Sequence, residues 1–285
     1  LKEKLGELLS QMLITMTDRG PDSAGVAIYS KENKGKSKVT VQSYKPQSCF
    51  SFLEKELKQV LDVELKICVN SNHAVLEVDT ENMDRLETKL KELRSEIRIM
   101  SKGDCLEIYK EVGRPEAVTS RFKLTKMTGS HGIGHTRMAT ESAVTTMGAH
   151  PFNTGKDQCL VHNGSLSNHN SLRRRLINEG LKFETYNDTE VGAAYLTWKI
   201  NIGNSLTTAL EGAINDLDGF YTFVVGTKEG FGVLRDPIGC KPAVMAETDQ
   251  YVAFGSEFRA LVGLPKIKEA RVWEPEPATV YFWGR

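Results

Sequence analysis

Four polar stretches hold the residue types that binding and catalysis use: Asp18-Arg19-Gly20-Pro21-Asp22-Ser23-Ala24-Gly25, Gly134-His135-Thr136-Arg137-Met138-Ala139-Thr140, His162-Asn163-Gly164 and Asn187-Asp188-Thr189-Glu190. They read as loops between apolar segments, and residues on loops held by a rigid scaffold carry chemistry where buried strands supply packing. The planar guanidinium of Arg137 is shaped to grip a carboxylate through two parallel bonds, which a lysine ammonium is not. Asp188 offers the opposite charge, and Asn163 and Gly164 offer amide donors. Each residue also has a purely structural use. Asn-Gly is a common turn dipeptide, and an Asp ahead of Thr189-Glu190 is a good helix N-cap. Arg137 would serve in a surface ion pair and His135 as a satisfied core histidine. Taken one at a time, none selects a function.

The elements that must position these stretches follow from apolar periodicity. Leu5, Leu8, Leu9, Met12, Leu13 and Met16 recur at helical spacing and predict an amphipathic helix that stops near Asp18-Arg19-Gly20-Pro21. Ala24 to Tyr29 and Val39 to Tyr44 read as strands joined by a Lys-rich turn. Residues 62–112 differ in character: strands at Leu65 to Val69 and Ala74 to Val78, a helix carrying Met83, Leu86, Leu90, Leu93 and Ile97, then strands at Ile97 to Met100 and Leu106 to Val112. That order predicts a small inserted ββαββ-like subdomain. Farther on, short strands (Cys159 to Val161, Phe220 to Val225, Gly232 to Leu234, Tyr251 to Phe254) alternate with helices near Asn168 to Glu179, Thr189 to Ile200 and Ser205 to Leu217. Hairpin spacing with a few helices argues for a mixed, layered α/β fold and against a doubly wound parallel one.

Composition excludes several classes. Lys plus Arg and Asp plus Glu both number 37, so no global field draws the chain to nucleic acid or an anionic membrane. A small neutral or zwitterionic ligand fits better. The five cysteines are scattered without a C-x-x-C pair, which predicts reduced thiols in a cytoplasmic protein. No apolar run approaches the roughly 20 residues of a membrane-spanning helix. Neither a G-x-G-x-x-G after a strand nor a phosphate-binding Gly-Lys-Ser/Thr loop is present, and no metal or cofactor is expected.

In their order along the chain, the polar stretches closely resemble those of the class II (N-terminal-nucleophile) glutamine amidotransferases. That family carries an Arg-Gly-x-Asp-Ser-x-Gly loop, Gly-His-x-Arg-x-Ala-Thr, an Ala-His-Pro segment, His-Asn-Gly ahead of a helix, and Asp-Thr-Glu. All five are here, the third as Ala149-His150-Pro151. Leu234 to Pro242 and Gly255-Ser256-Glu257 resemble the distal part of the same domains. The resemblance implies one amidotransferase domain over residues 1–285, an α/β (α+β) four-layer αββα sandwich, with the 62–112 subdomain inserted in it.

The resemblance also implies roles. Free glutamine presents a carboxylate, an ammonium and a carboxamide. Arg137 would clamp the first and Asp188 the second, with Met138, Thr140 and His150 completing the substrate pocket. The family usually has Trp where Met138 stands. Asn163, by its side-chain amide, and Gly164, by its backbone N–H, would stabilise the oxyanion of the tetrahedral intermediate, where losing one donor costs about 3 kcal/mol of barrier. Arg19 and Gly20 would steady the nucleophile. In the family that nucleophile is a cysteine at the first position of the mature chain, whose α-amine, with an unperturbed pKa of about 8, acts as base. Here the first residue is Leu1, which implies a longer or processed gene product, and no internal cysteine offers a free amine. Cys159 reads as a buried small hydrophobe.

Two functions are therefore expected from different classes. The first is a stand-alone subunit that hydrolyses glutamine and hands ammonia to a separate synthase chain, as in split glutamate synthases and N-methylglutamate synthases. The second is a glutamine-binding regulatory or scaffold subunit without a nucleophile. An acylase of the same fold is disfavoured by Arg137 and Asp188, which together match an α-amino acid. A homo-oligomer is left open.

Overall fold

A computed structural model describes residues 1–139 and 143–284. Helix α1 (Leu5–Thr15) realises the opening periodicity: Leu9 and Leu13 are buried while Glu7 and Gln11 are exposed. Strands β1 (Ser23–Tyr29) and β2 (Lys36–Gln42) follow, then helices α2 (Pro46–Phe50) and α3 (Leu53–Leu61), the hairpin β3 (Leu65–Asn70) and β4 (His73–Asp79), and helix α4 (Met83–Leu93). Next come β5 (Arg98–Gly103), β6 (Leu106–Val112), α5 (Pro115–Arg121), β7 (His131–Arg137), β8 (Phe152–Gly155) and β9 (Gln158–Leu166). Helices α6 (His169–Asn178), α7 (Asp188–Asn201) and α8 (Leu206–Asp216) lead to β10 (Gly219–Thr227), β11 (Gly230–Arg235), β12 (Val244–Glu247), β13 (Val252–Gly255), β14 (Arg271–Trp273) and β15 (Val280–Gly284).

Strand β1 explains the layering. Every residue in it is buried, and successive side chains point to opposite faces. Val26 and Ile28 meet Leu9 and Leu13 of α1 and Val118 of α5 in one core. Ala27 and Tyr29 join a second core with Val161, Val224 and Val233. The sheet β6-β1-β7 therefore has helices on one face and, on the other, the sheet β15-β11-β10-β9-β8. The outer face of that larger sheet contributes Leu160, Phe223 and Val225 to a third core with Leu172, Val191, Leu196 and Leu210 of α6–α8. The sequence of layers is αββα, as expected. No helix among the described residues is long and apolar enough to cross a membrane.

A separate antiparallel sheet, β3-β4-β2-β5, is covered on one face by α3 and α4 through Leu53, Leu57, Leu61, Leu86 and Leu90. Its chain order β-α-β-β-α-β is that of a split βαβ unit. The span 62–112, expected as one inserted unit, is divided between two sheets. β6 pairs along the whole of β1, from Ser23↔Val112 to Tyr29↔Leu106, whereas β2 and α3, upstream of residue 62, complete the smaller sheet. Alternation marks a strand without naming its neighbour, so the partner was not readable. We propose Lys36–Gly103 as the bounds of the subdomain.

Candidate active site

Strand β7, expected as a loop, is polar and glycine-rich because α1 lies directly over it. A Cβ on Gly134 would come within 2.9 Å of Leu13, and one on Gly132 within 3.1 Å of Leu9. β7 is the outermost strand of its sheet, and its last residue is Arg137. The turn before β1 holds that end in place. Gly20 packs bare against it, since a Cβ there would stand 2.3 Å from the Thr136 carbonyl carbon. The Asp22 carboxylate accepts the Ala139 N–H at 2.8 Å, and the Asp22 N–H donates to the Arg137 carbonyl at 3.1 Å.

His162-Asn163-Gly164 is not a turn. It lies within β9, in register with Phe223, Thr222 and Tyr221 of β10. Gly164 has φ +138°, and a Cβ there would meet the Phe220 carbonyl oxygen at 1.8 Å, so neither the conformation nor the space suits another residue. At the start of α7 the N-cap is Asn187, whose side-chain oxygen accepts the Thr189 N–H at 2.8 Å. Asp188, expected to cap, is instead the first helical residue, and its carboxylate accepts the Leu166 N–H at 2.9 Å.

These ends converge on a cleft of about 1160 Å³. Arg137, Met138, His150, Asn163, Gly164 and Asp188 all line it. Burial lowers the pKa of Arg137, while the carboxylates of Asp188 and Asp22 act on it in the opposite direction. Met138 is half exposed on the wall. Arg19 also lines the cleft, with its Nε 3.3 Å from the Glu257 carboxylate. Gly20 is not among the lining residues, and Thr140 lies outside the described residues.

The floor is a group of buried imidazoles. His135 and His150 stack with centroids 4.0 Å apart. Thr189 Oγ1 lies 2.7 Å from His150 Nε2 and 3.1 Å from His162 Nδ1. The hydroxyl has one proton, so at least one of the two ring nitrogens carries an N–H and donates to it. His135 Nε2 faces the His162 carbonyl at 3.1 Å and must carry the proton. Burial lowers all three pKa values, to about 4 for His135 and His162 and well below the ordinary value for His150. At neutral pH the floor is uncharged, so the cation of Arg137 and the carboxylate of Asp188 face each other's region without competition from below. Among the described residues, no group of three His, Cys, Asp or Glu side chains is placed to hold a metal ion.

Sequence reasoning passed over Asp22, His162, Thr189 and Tyr186. The first three sat inside recognised motifs, but the bonds that make them matter are to distant segments. Tyr186 is 92% exposed on the rim of the cleft, with no sequence signal beyond adjacency to Asp188. Among the described residues, no cysteine lines the cleft. Cys159 is fully buried, its thiol pushed up to about 11 by burial.

The αββα architecture resembles that of a glutamine phosphoribosylpyrophosphate amidotransferase from B. subtilis, solved with ADP and GMP. The TM-score is 0.64 at 20% identity, over 99% of this chain and 45% of that one. At such identity the likeness speaks for the fold alone. Residues 135–263 match the family described as "Glutamine amidotransferase domain". The "Glutamine amidotransferase-like protein GlxB" of Rhizobium meliloti (strain 1021) is 65% identical over 283 residues, 99% of this chain and 94% of that protein. A glutamine–fructose-6-phosphate aminotransferase (isomerizing) of Vibrio vulnificus (strain YJ016) is 32% identical over 151 residues, 53% of this chain and 24% of that protein. This chain belongs to the class II glutamine amidotransferase family.

Proposed function

We propose that the cleft binds glutamine by its α-amino acid head group and presents the carboxamide to a cysteine thiol. The observation that carries this is convergence: Arg137 from the end of β7, Asp188 from the start of α7, and Asn163 and Gly164 from within β9 line one cavity. Arg137 takes the α-carboxylate, Asp188 the α-ammonium, and Met138 borders the head group. Sulfur attacks the carboxamide carbon, and negative charge gathers on its oxygen, where Asn163 and Gly164 donate. The carbon–nitrogen bond then breaks, and the nitrogen leaves as ammonia with the thiol's proton. Water hydrolyses the thioester to glutamate and restores the thiol.

The nucleophile in this reading is none of the five internal cysteines. Ammonia passes to a separate synthase chain. The same cleft would serve a second reading, a glutamine-binding subunit that does not hydrolyse. One experiment separates them: the product of the full reading frame is assayed for glutamate release and for labelling by a diazo-ketone glutamine analogue. Glutamine binding with release and labelling supports hydrolysis. Binding without either, even with partner chains present, supports the second reading, and no binding rejects both.

A further inference from the structure

Lys110, on β6, is buried and takes no part in the chemistry above. Its ammonium donates to the carbonyls of Met147, Ala149 and Pro151 at 3.2, 2.8 and 3.1 Å, and it stands 4.4 Å from the centre of the Phe152 ring. An ammonium has three N–H donors, so the three carbonyls saturate it. Opposite Lys110 in the sheet is Gly25, where a Cβ would come within 2.1 Å of the His150 carbonyl oxygen. The glycine is a notch, and the segment Met147–Pro151 lies in it, fastened by the lysine.

That segment touches the start of α7 twice. The Gly148 carbonyl accepts from Asn187 Nδ2 at 3.1 Å, and His150 Nε2 meets Thr189 Oγ1 at 2.7 Å. Asn187 and Thr189 flank Asp188. We propose that Lys110 is a positioning residue for recognition of the α-amino group: by fastening Met147–Pro151 it sets where α7 begins and where the Asp188 carboxylate stands. This rests on the reading of the cleft as an amino-acid pocket. The backbone at the Arg137 end has its own supports in Asp22 and Gly20, independent of Lys110. Burial pushes the lysine pKa down to about 7, with Glu190 and Glu184 acting in the opposite direction.

A loss confined to one end of the ligand distinguishes this role from general damage. Dissociation constants are measured for L-glutamate and for glutarate, which lacks the amino group, because neither is turned over. The full-length wild-type protein, Lys110→Met and Lys110→Gln are compared. In Lys110→Met the preference for glutamate over glutarate should fall about tenfold, equivalent to about 1.4 kcal/mol of binding free energy, with glutarate binding nearly unchanged. If Lys110→Met does not fold, Lys110→Gln, which keeps two N–H donors, should show a smaller fall in the same ratio. An unchanged ratio in the folded variant, or parallel loss of both ligands, overturns the proposal while leaving the pocket intact. A wild-type protein that shows no preference overturns the pocket reading and this inference with it.

Discussion

The αββα layers and the Lys36–Gly103 subdomain use the same alternation of apolar residues, yet they place their buried polar groups differently. Between its helices and sheet the subdomain encloses leucines and valines, with the charges of α4 turned outward in pairs such as Lys91–Glu87. The αββα layers bury Lys110, His150 and His162, and the two histidines line the cleft, whereas the subdomain buries Gln42, His73 and Ser101 away from it. None of the cleft-lining residues comes from Lys36–Gly103. Burying polar groups costs free energy unless they are paired, and only in the αββα layers do such groups line the cleft, which marks that region as the part built for recognition.

That separation can be broken by experiment. The largest effect should come from Asn163→Ala, which should lower kcat for glutamine hydrolysis by about 100- to 1000-fold and weaken binding much less. Steady-state kinetics check it, and an equal loss in both terms removes Asn163 from the oxyanion site. Leu57→Ala, inside the subdomain, should cost about 2–5 kcal/mol in a denaturant titration while leaving the glutamine dissociation constant within about twofold; a larger change in affinity would show that the two regions are coupled. Arg137→Lys should do the reverse, weakening glutamine by roughly 30-fold, the low end of losses at buried charge pairs, with little change in melting temperature. Unchanged calorimetric affinity would remove the head-group clamp.

The smallest effect concerns pH. His135 and His162 have pKa values lowered to about 4, and His73, between the rings of Tyr109 and Phe122, to about 3. The unfolded chain therefore binds more protons below about pH 6.5, and the stability present above that pH is lost as pH falls toward 4. Replacing His73, which lies outside the cleft, should lessen the slope of stability against pH by about 1 kcal/mol per unit without moving ligand affinity. Melting curves from pH 7 to 4 check this, and an unaltered slope shows that His73 does not titrate with unfolding.

Recognition of the elements from sequence went furthest where one periodicity acted alone. The stretch carrying Leu5, Leu9 and Leu13 is a helix, and Leu106 to Val112 is a strand, as their spacing requires. It failed where a second constraint overrode the first. β7 looks like a loop because Gly132 and Gly134 are glycines for the sake of α1, not for a turn. Helices α2 and α3, in residues 46–61, went unread.

The sequence by itself determined which residue types stand in which order, and that order was enough to point to the family, to Arg137, Asn163, Gly164 and Asp188, and to layered sheets. Only the tertiary structure decided what each does locally: Asn187 caps α7, so the Asp188 carboxylate is available to the cleft, and Asn163-Gly164 lies in a strand. It also decided that β6 belongs with β1 and that Gly25 makes room for the segment Lys110 holds. The physical reason is range. Period and turn chemistry act within a few residues, whereas strand partners, close backbone approaches and buried hydrogen bonds join residues far apart along the chain.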